Sequence, residues 1–335
     1  MTQIAPVRSR DIVVIGCSAG GVDALPRIVH QLPADFPASV FIVQHMAPTP
    51  PGYLVDILNR ASTIPVSWGE QGERFERGHV YVAPPDVHMV FTEDHIALTR
   101  GARENHSRPS IDKLFRSAAA VHSSRTVGVL MTGMLDDGVA GLRAIQDAGG
   151  IVIVQDPEDA AFPDLPARAL LAVAPDRVLP IDGIVPALLV HVQEKVLARS
   201  IPEPIALEAA LDLHANATPE DMHRLGPQTP LSCPDCAGPM WQLGDEKDRR
   251  YRCYLGHVVT ARELIGRADA EVEAALWSAV RALNERATTL ETLARDAEMA
   301  GNHQSAKTYE LRSREARTQS GLARQFMMDL MHPKR

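Results

Sequence analysis

Several features common in other protein classes are scarce or absent in this sequence. Aromatic residues make up 4% of the 335 positions, so we expect a core of valine, isoleucine, leucine and alanine. The formal net charge is −8, which argues against nucleic acid or an anionic membrane as the main partner. No run of 18 apolar residues is present, so direct membrane insertion is not expected. The opening MTQIAPVRSR lacks the apolar segment of a signal peptide, and we expect a cytoplasmic protein.

What the chain does contain is an alternation of apolar strand segments and amphipathic helices. The fold class predicted is α/β, with a doubly wound, mostly parallel sheet. An antiparallel hairpin is expected at one edge of that sheet. Strands are predicted at 12–15, 39–43, 126–131 and 151–154, helices at 22–31, 52–60, 111–121, 141–148 and 166–172, and edge-hairpin strands at 79–83, 88–91 and 96–99.

The pattern changes after about residue 195. Residues 196–230 contain five prolines and little periodicity, which predicts a linker. Residues 231–265 form a compact cysteine-rich segment. Apolar residues then recur at helical spacing on both sides of Gly301-Asn302, which predicts a helical hairpin over 266–332. Together with a catalytic domain over 8–195, this predicts four parts.

The segment Asp11–Asp23, DIVVIGCSAGGVD, holds the most informative pattern. Its apolar run ends at Gly16, Ser18 follows, and two further glycines lead into a helical pattern. This order predicts a buried parallel strand that turns sharply into a helix. Because the first N–H groups of a helix are free, a hydroxyl at this turn suits either a bound phosphate or a nucleophile.

A dinucleotide-binding loop is the first interpretation of this turn. The glycine spacing G-x-x-x-G-G departs from the G-x-G-x-x-G fingerprint. Such sites also place an acidic residue near the end of the second strand to bind the ribose hydroxyls. Here that strand ends in Gln44-His45. A nucleotide-binding reductase is therefore disfavoured.

A catalytic interpretation starts from three strand ends. Ser18, His45 and the pair Asp136-Asp137 each follow a predicted parallel strand, and the carboxyl ends of such strands share one edge. An imidazole that accepts the serine proton, oriented by a carboxylate, would make Ser18 a nucleophile. The order Ser–His–Asp differs from that of α/β-hydrolases, and no G-x-S-x-G motif is present. Each residue alone also fits a helix cap, a strand-end histidine or a turn aspartate, so the pattern leaves both interpretations open.

Four longer motifs extend the pattern. DIVVIGCSAGG, IVQHM, HSRPSIDKLF and VLMTGMLDDG follow one another between about residues 10 and 195. Together they resemble the catalytic domain of the chemotaxis protein-glutamate methylesterase (CheB) family. The resemblance implies a doubly wound α/β fold and a catalytic triad of Ser18, His45 and Asp137. Asp137, directly before Gly138, matches the family aspartate, and Asp136 falls on a variable position.

The resemblance also implies an activity. A serine hydrolase is expected that removes methyl esters from glutamate side chains of a chemoreceptor-like protein in bacterial signal transduction, with deamidation of receptor glutamines as a further activity. No cofactor is expected for catalysis. Backbone N–H groups, including those of Ala19 and Met134, are expected to bind the oxyanion. Arg108, Ser110 and Asp112 are expected to line the cleft, with a capped, solvated helix start as the alternative.

Two departures from the family pattern are visible. Leu135 stands where the pattern G-M-G-x-D-G has glycine, so a different loop backbone and a narrower acyl-binding rim are expected. The catalytic segment begins almost at residue 1, so the family's phosphorylated receiver domain, and regulation by it, are not expected. The alternative function is a catalytically weak or inactive signalling scaffold that acts through its C-terminal region.

Three of the four cysteines lie close together. Cys233 and Cys236, followed after sixteen residues by Cys253 and His257, form a C-x₂-C…C-x₃-H pattern. Thiolates and an imidazole at these spacings predict a structural Zn²⁺ site, because four protein ligands leave no open position. Free thiols or a vestigial knuckle are the alternatives. The segment also resembles the tail found on some receiver-less relatives of the methylesterases, a less specific resemblance. Cys17 stands apart and is expected to pack under the turn as a small apolar residue.

The neighbouring residues and the predicted helical hairpin bear on partners. The stretch DEKDRRYR mixes both charge signs, so an interaction module is favoured over nucleic-acid binding. The hairpin carries an alanine-rich stripe with leucines at helical spacing, which is typical of packing within the hairpin. Self-association or docking of a receptor or regulator through these helices is the alternative.

Overall fold

The computed structural model of the protein describes residues 7–46, 53–197, 199–214 and 217–331. The chain divides into two compact units, the first ending at Ala261 and the second beginning at Arg262. Within the described ranges, no helix combines the length and apolar character needed to cross a membrane. The strands are β1 (Val7–Ser9), β2 (Ile12–Cys17), β3 (Ser39–Gln44), β4 (Val66–Trp68), β5 (Val80–Val82), β6 (His88–Thr92), β7 (His95–Thr99), β8 (Thr126–Leu130), β9 (Ile151–Gln155), β10 (Arg177–Leu179), β11 (Lys195–Leu197), β12 (Gln228–Ser232), β13 (Pro239–Leu243), β14 (Arg250–Cys253) and β15 (Val258–Thr260). The helices are α1 (Gly21–Gln31), α2 (Leu54–Ala61), α3 (Ile111–His122), α4 (Val139–Asp147), α5 (Asp164–Ala172), α6 (Ile181–His191), α7 (Glu203–His214), α8 (Pro219–Leu225), α9 (Ala261–Met299) and α10 (His303–Met331).

A seven-stranded parallel sheet forms the centre of the first unit. Its strand order is β10-β9-β8-β2-β3-β5-β4, and every residue of β2 and β3 is buried. Helices α1, α2 and α6 pack on one face, and α3, α4 and α5 pack on the other. Both faces are covered, which is why the central strands are apolar throughout rather than alternating. The predicted doubly wound α/β fold is confirmed.

The hairpin differs from the prediction in its membership. Strands β6 and β7 form an antiparallel two-stranded sheet of their own. The run at 79–83, expected to belong to the hairpin, contains β5, which instead lies inside the parallel sheet between β3 and β4. An apolar run of three to five residues fits either kind of sheet, because its neighbours are set by contacts distant in sequence.

The segment 196–230, for which the sequence predicts a linker, contains helices α7 and α8 in its described part. Helix α7 packs against α3 with Glu208 and Asp212 buried, alongside Leu211. Because two of these inward-facing residues are charged, the helix shows no apolar stripe of the kind that marks a packed helix in a sequence. The four-part division of the chain, with its boundaries, stays a prediction.

The cysteine-rich segment folds as a small antiparallel sheet in the first unit. Its strands lie in the order β12-β13-β14-β15. Cys233 and Cys236 lie in the connection between β12 and β13, and Cys253 is the last residue of β14. The second unit is the predicted helical hairpin of α9 and α10. Its helices are joined by a hydrogen bond from the Ser313 hydroxyl to the Ala287 carbonyl, 3.1 Å, and by an ion pair between Arg317 and Glu291, 2.7 Å.

Candidate active site and metal cluster

Ser18 lies in the turn between β2 and α1, at the carboxyl edge of the sheet. Its N–H donates to the carbonyl of Thr132, 3.0 Å, and its own carbonyl accepts from Gly21 N–H, 3.0 Å. The side-chain amide of Gln44 donates to the carbonyls of both Ser18 and His45, each at 2.8 Å. A Cβ on Gly21 would lie 1.8 Å from Gln44 Oε1 and 2.8 Å from Cys17 Sγ, so a side chain there would displace the Gln44 amide. The turn is therefore held by backbone and amide hydrogen bonds that leave the serine hydroxyl available.

His45 follows β3 and lies between Ser18 and Asp137. Its Nδ1 is 3.1 Å from Ser18 Oγ, and its Nε2 is 2.6 Å from Asp137 Oδ2. If Nε2 carries the proton that is donated to Asp137, Nδ1 is free to accept the serine proton. The structure thus brings together the three residues that the sequence singled out, as one hydrogen-bonded chain.

Asp137 is buried at the start of helix α3. Its Oδ1 accepts from the Ser110 hydroxyl, 2.9 Å, and from the Asp112 amide, 3.1 Å. Its Oδ2 accepts from the Ile111 amide, 2.8 Å, in addition to His45. Burial by itself would raise the pKa of Asp137, but the hydrogen bond and charge of His45 and the two amides outweigh it, so the pKa is lowered. The free N–H groups of the helix start thereby stabilise the carboxylate.

The start of α3 reaches this position because it packs closely on β2. A Cβ on Gly16 would lie only 2.2 Å from a side-chain carbon of Ile111. The glycine two residues before Ser18 is therefore needed for the approach of α3 to the sheet, and with it for the amides that bind Asp137.

Of the three residues expected to line the cleft, two lie behind it. Ser110 and Asp112 are both buried beside Asp137: the Ser110 hydroxyl donates to Asp137, and the Asp112 carboxyl accepts from Gly141 N–H at the start of α4. Arg108 does face the cleft: with His45, Arg103 and Ser107 it lines a cavity of about 100 Å³. Arg108 also pairs with Asp86 at 2.7 Å.

The loop after β8 lies against Ser18. A Cβ on Gly133 would be 3.0 Å from the Cβ of Ser18, and the Thr132 hydroxyl donates to the Ala19 carbonyl, 3.0 Å. Among the described residues, the N–H groups of Ala19 and Met134 have no hydrogen-bond partner. These are the two amides expected to bind the oxyanion.

Leu135 adopts a φ of +68°, in the region that favours glycine. The different loop backbone and the narrower acyl-binding rim expected from this substitution stay predictions. Its side chain is 47% exposed beside the half-exposed Met134.

Sequence reasoning missed several residues at the site. Asn105 is buried, with its side-chain amide 3.2 Å from Asp112 Oδ2 and 3.5 Å from Asp137 Oδ1. The Ser107 hydroxyl is 3.4 Å from His45 Nδ1, so it is a second hydroxyl beside the imidazole. Asn105 lies three residues and Ser107 one residue before Arg108, and only the folded loop shows what they contact.

Two buried carboxyls lie close together here. Burial, and then the charge of Asp137, raise the pKa of Asp112 well above its ordinary value. Asp112 Oδ1 accepts from the Gly141 amide at 2.6 Å, which fixes α4 against α3. Asp137 is thus the ionised member of the pair and faces His45.

Cys17 is fully buried, and its thiol donates to Gln44 Oε1 at 3.1 Å. Burial raises the pKa of this thiol far above its ordinary range. It packs under the turn, where it supports Gln44.

The predicted metal ligands also converge. Ligand atoms of Cys233, Cys236, Cys253 and His257 all lie within 4.8 Å of one another. Cys236 Sγ is 3.7 Å from Cys253 Sγ, which is 3.6 Å from His257 Nδ1. Zn–S bonds of about 2.3 Å in a tetrahedron put sulfurs about 3.8 Å apart, so this donor set fits zinc in number, chemistry and spacing.

Residues 13–188, more than half of the chain, match the family described as CheB methylesterase. The chain belongs to the CheB methylesterase family. The crystal structure of the Thermotoga maritima CheB methylesterase catalytic domain is similar, with a TM-score of 0.52 and 35% identity over 54% of this chain and 98% of that one.

Relatives of known sequence agree with this family assignment. Over 175 residues the chain is 38% identical to a Leptospira interrogans protein named, provisionally, as a protein-glutamate methylesterase/protein-glutamine glutaminase, covering 52% of this chain and 91% of that protein. Protein-glutamate methylesterase/protein-glutamine glutaminase 4 of Geobacter metallireducens is 43% identical over 185 residues, covering 55% of this chain and 53% of the relative. The match thus spans about half of the Geobacter protein, and it lies in the unit that holds Ser18, His45 and Asp137.

Proposed function

We propose that the protein is a serine esterase that hydrolyses γ-glutamyl methyl esters on a chemoreceptor-like protein, with Ser18 as nucleophile. The observation that carries this proposal is the hydrogen-bonded chain Ser18–His45–Asp137 at the carboxyl edge of the sheet. The family membership and the activities named for the relatives support the choice of substrate.

In the acylation step, the Ser18 hydroxyl gives its proton to His45 Nδ1 and its oxygen attacks the ester carbonyl. Asp137 stabilises the imidazolium that forms, through the 2.6 Å contact with Nε2. The tetrahedral oxyanion then collapses, and the methoxy oxygen takes the proton from Nδ1 and leaves as methanol. The N–H groups of Ala19 and Met134 would bind the oxyanion, and one such donor contributes about 3 kcal/mol to the transition state.

In the deacylation step, water takes the place of methanol. It gives a proton to His45 Nδ1 and attacks the glutamyl-Ser18 ester, and the serine oxygen recovers the proton as the free carboxylate product leaves. With a receptor glutamine as substrate, ammonia leaves instead of methanol by the same route, which would give the glutaminase activity. No step in this scheme requires a cofactor.

Methanol release from a methylated receptor fragment tests the proposal. Ser18→Ala is expected to lower kcat by a factor of about 10⁴ or more, since the chain of three acts as a unit. Ser107→Ala is the matched comparison, because it removes the other hydroxyl near Nδ1, and it should keep kcat within about tenfold. Equal activity of wild type and Ser18→Ala, both correctly folded, would exclude Ser18 as the nucleophile.

We also propose that Cys233, Cys236, Cys253 and His257 hold a structural Zn²⁺. The sheet around them is small, so the metal would supply much of its folding free energy. Protein purified without added metal should contain about one equivalent of zinc, and a content under about half an equivalent would count against the site. Cysteines used as metal ligands rather than in disulfides are typical of reducing compartments, which supports a cytoplasmic location.

The partner we propose for the catalytic unit is the methylated receptor, and for the helical hairpin either a second copy or a regulatory protein. The hairpin supports this because α10 exposes Leu322 and Phe326, which are 66% and 56% accessible. Mixed charges around the metal cluster give no support for nucleic acid as a partner.

A further inference from the structure

The loop that carries Asn105 and Ser107 joins the sheet of the cysteine-rich segment. The N–H of Asn105 donates to the Val258 carbonyl at 2.9 Å, and Val258 N–H donates to the Arg103 carbonyl at 3.4 Å. These bonds form a short parallel bridge between the loop and β15. Strand β15 begins directly after His257, whose carbonyl accepts from the Cys253 amide at 3.0 Å. The loop next to the triad is thus hydrogen-bonded to Val258, which directly follows His257, one of the four proposed metal ligands.

The side chain of Asn105 points the other way, toward the triad. Its amide nitrogen lies between the two buried carboxyls, 3.2 Å from Asp112 Oδ2 and 3.5 Å from Asp137 Oδ1. Its carbonyl oxygen is buried without a hydrogen-bond partner among the described residues, so the amide group is used on its donor side only. Its φ of +48° is tolerated by asparagine but costs most other residues free energy.

The loop is also held from a third direction, by a buried cluster of charges. Glu104, the residue before Asn105, accepts from Arg116 of α3 at 2.6 Å. Arg116 also pairs with Asp212 of α7 at 2.8 Å, and Asp212 in turn pairs with Arg252 of β14 at 2.8 Å. One set of ion pairs therefore connects α3, the loop, α7 and the cysteine-rich sheet. Loss of any partner would leave a buried charge uncompensated, which is strongly destabilising.

We propose that Asn105 is a positioning residue for the Ser18 reaction, and that the Cys233–His257 cluster, through β15, holds it against Asp137. This inference rests on the proposed function. Asn105 touches neither substrate nor the reacting atoms. It fixes the separation and orientation of Asp112 and Asp137, and so the direction in which Asp137 holds His45. Disorder among the four metal ligands would free β15 to move. The loop that carries Asn105 would then lose its hydrogen bonds to β15, and Asp137 would no longer be held in position.

The first test removes the Asn105 amide alone. Asn105→Gly keeps a backbone that accepts the positive φ and keeps the N–H that bonds Val258, whereas Asn105→Ala adds strain. Asn105→Gly is expected to lower kcat by about tenfold with KM unchanged, because misalignment of a catalytic group acts on the transition state. With a small ester substrate, Asn105→Gly should lower kcat by the same factor. Asn59→Ala, which removes two hydrogen bonds to the backbone of β4, is the matched control and should leave kcat unchanged.

The second test breaks the metal cluster. Cys236→Ser is compared with Leu231→Ser. Leu231 lies on β12, which forms the edge of the sheet opposite to β15. The readout is amide hydrogen exchange in peptides covering 103–112 and 126–130. Cys236→Ser should speed exchange at 103–112 by at least about tenfold and leave 126–130 as in wild type. Leu231→Ser should change neither.

The two experiments test the role of Asn105 and of the metal ligands independently of the esterase assignment. A kcat for Asn105→Gly within twofold of wild type would overturn the positioning role. Unchanged exchange at 103–112 in Cys236→Ser, or faster exchange that extends equally to 126–130, would overturn the role of the metal cluster. If wild type releases no methanol, the esterase assignment fails, while the exchange experiment still decides whether the cluster holds the loop.

Discussion

At the residue scale, His88 is a buried base whose two ring nitrogens are already used. Its Nδ1 accepts from Ser110 N–H at 3.2 Å, and its Nε2 donates to the Ala102 carbonyl at 3.0 Å. Burial, and then the charge of Lys113, lower the pKa of His88 to about 3. Burial likewise lowers the pKa of His122 to about 4. Both histidines are therefore neutral in the folded protein near pH 7.

This predicts a loss of stability in acid. In the unfolded chain His88 binds a proton below about pH 6.5, whereas in the folded protein His88 is protonated only below about pH 3. Stability is thus fully present above pH 6.5 and falls as the pH is lowered from 6.5 toward 3. His88→Gln should reduce the slope of unfolding free energy against pH by about 1.4 kcal/mol per unit in that range. Urea unfolding between pH 7 and pH 4.5 measures it, and an unchanged slope would contradict the assignment.

A second residue-scale prediction concerns Leu135. A leucine at φ +68° carries a backbone cost of about 1 kcal/mol that glycine does not. Leu135 is also 47% exposed, so little packing is lost on its removal. Leu135→Gly should therefore raise the unfolding free energy by up to about 1 kcal/mol, measured by urea unfolding, with methanol release retained. Destabilisation by more than about 1 kcal/mol would show that the side chain has a packing role.

The sequence was informative about the site where chemistry alone marks a residue. Ser18, His45 and Asp137 could be selected because each follows an apolar strand, and strand ends meet at one edge of the sheet. The amides of Ile111 and Asp112 that stabilise Asp137 could not be found in this way, since backbone groups carry no sequence signal. Asn105 was missed because its contacts depend on a loop fixed by β15, about 150 residues later in the chain.

At the element scale, helix α7 is held by buried ion pairs rather than by an apolar stripe. Asp212 pairs with Arg116 and Arg252, each at 2.8 Å, and lies 3.8 Å from Lys113. Burial opposes the charge on Asp212, but the surrounding cations outweigh it and lower its pKa far below the ordinary range. This arrangement explains why a proline-containing segment with little periodicity forms a packed helix.

Removal of the Asp212 carboxylate should leave buried cations without a partner. We expect Asp212→Ala to lower the unfolding free energy by about 3–5 kcal/mol. Asp182→Ala is the matched control, because Asp182 also pairs with an arginine at 2.8 Å but is 70% exposed, and it should cost under about 1 kcal/mol. Urea unfolding of both variants gives the comparison. Similar small losses in the two would contradict a structural role for α7.

The elements themselves were predictable to different degrees. Strands β2, β3, β8 and β9 were found because long β-branched runs mark buried parallel strands. The helical hairpin was found because its apolar residues keep helical spacing over about thirty residues on each side of Gly301. Strand β4 was not predicted, since three residues carry no periodicity. Strand β5 was assigned to the wrong sheet for the same reason.

At the scale of the whole molecule, the exposed apolar residues of α10 bear on assembly. Leu322 and Phe326 lie four residues apart on a helix and are mostly accessible. If the hairpin associates with a second copy, the double variant Leu322→Ser and Phe326→Ser should reduce the molar mass measured by light scattering to that of one chain, 36.5 kDa. A wild-type protein that is already monomeric at micromolar concentration would exclude self-association and leave a regulatory partner.

The proposed activity of the molecule depends on one chemical event, the transfer of a glutamyl group to Ser18 with release of methanol. The most direct measurement is a rapid quench of the 335-residue protein with a γ-glutamyl methyl ester peptide, followed by mass mapping of the Ser18 peptide and quantitation of methanol. We expect a burst of about one methanol per enzyme and a matching acyl adduct on Ser18 alone, with neither in Ser18→Ala. Methanol release by Ser18→Ala at the wild-type rate, or an adduct on Ser107 instead, would contradict Ser18 as the nucleophile.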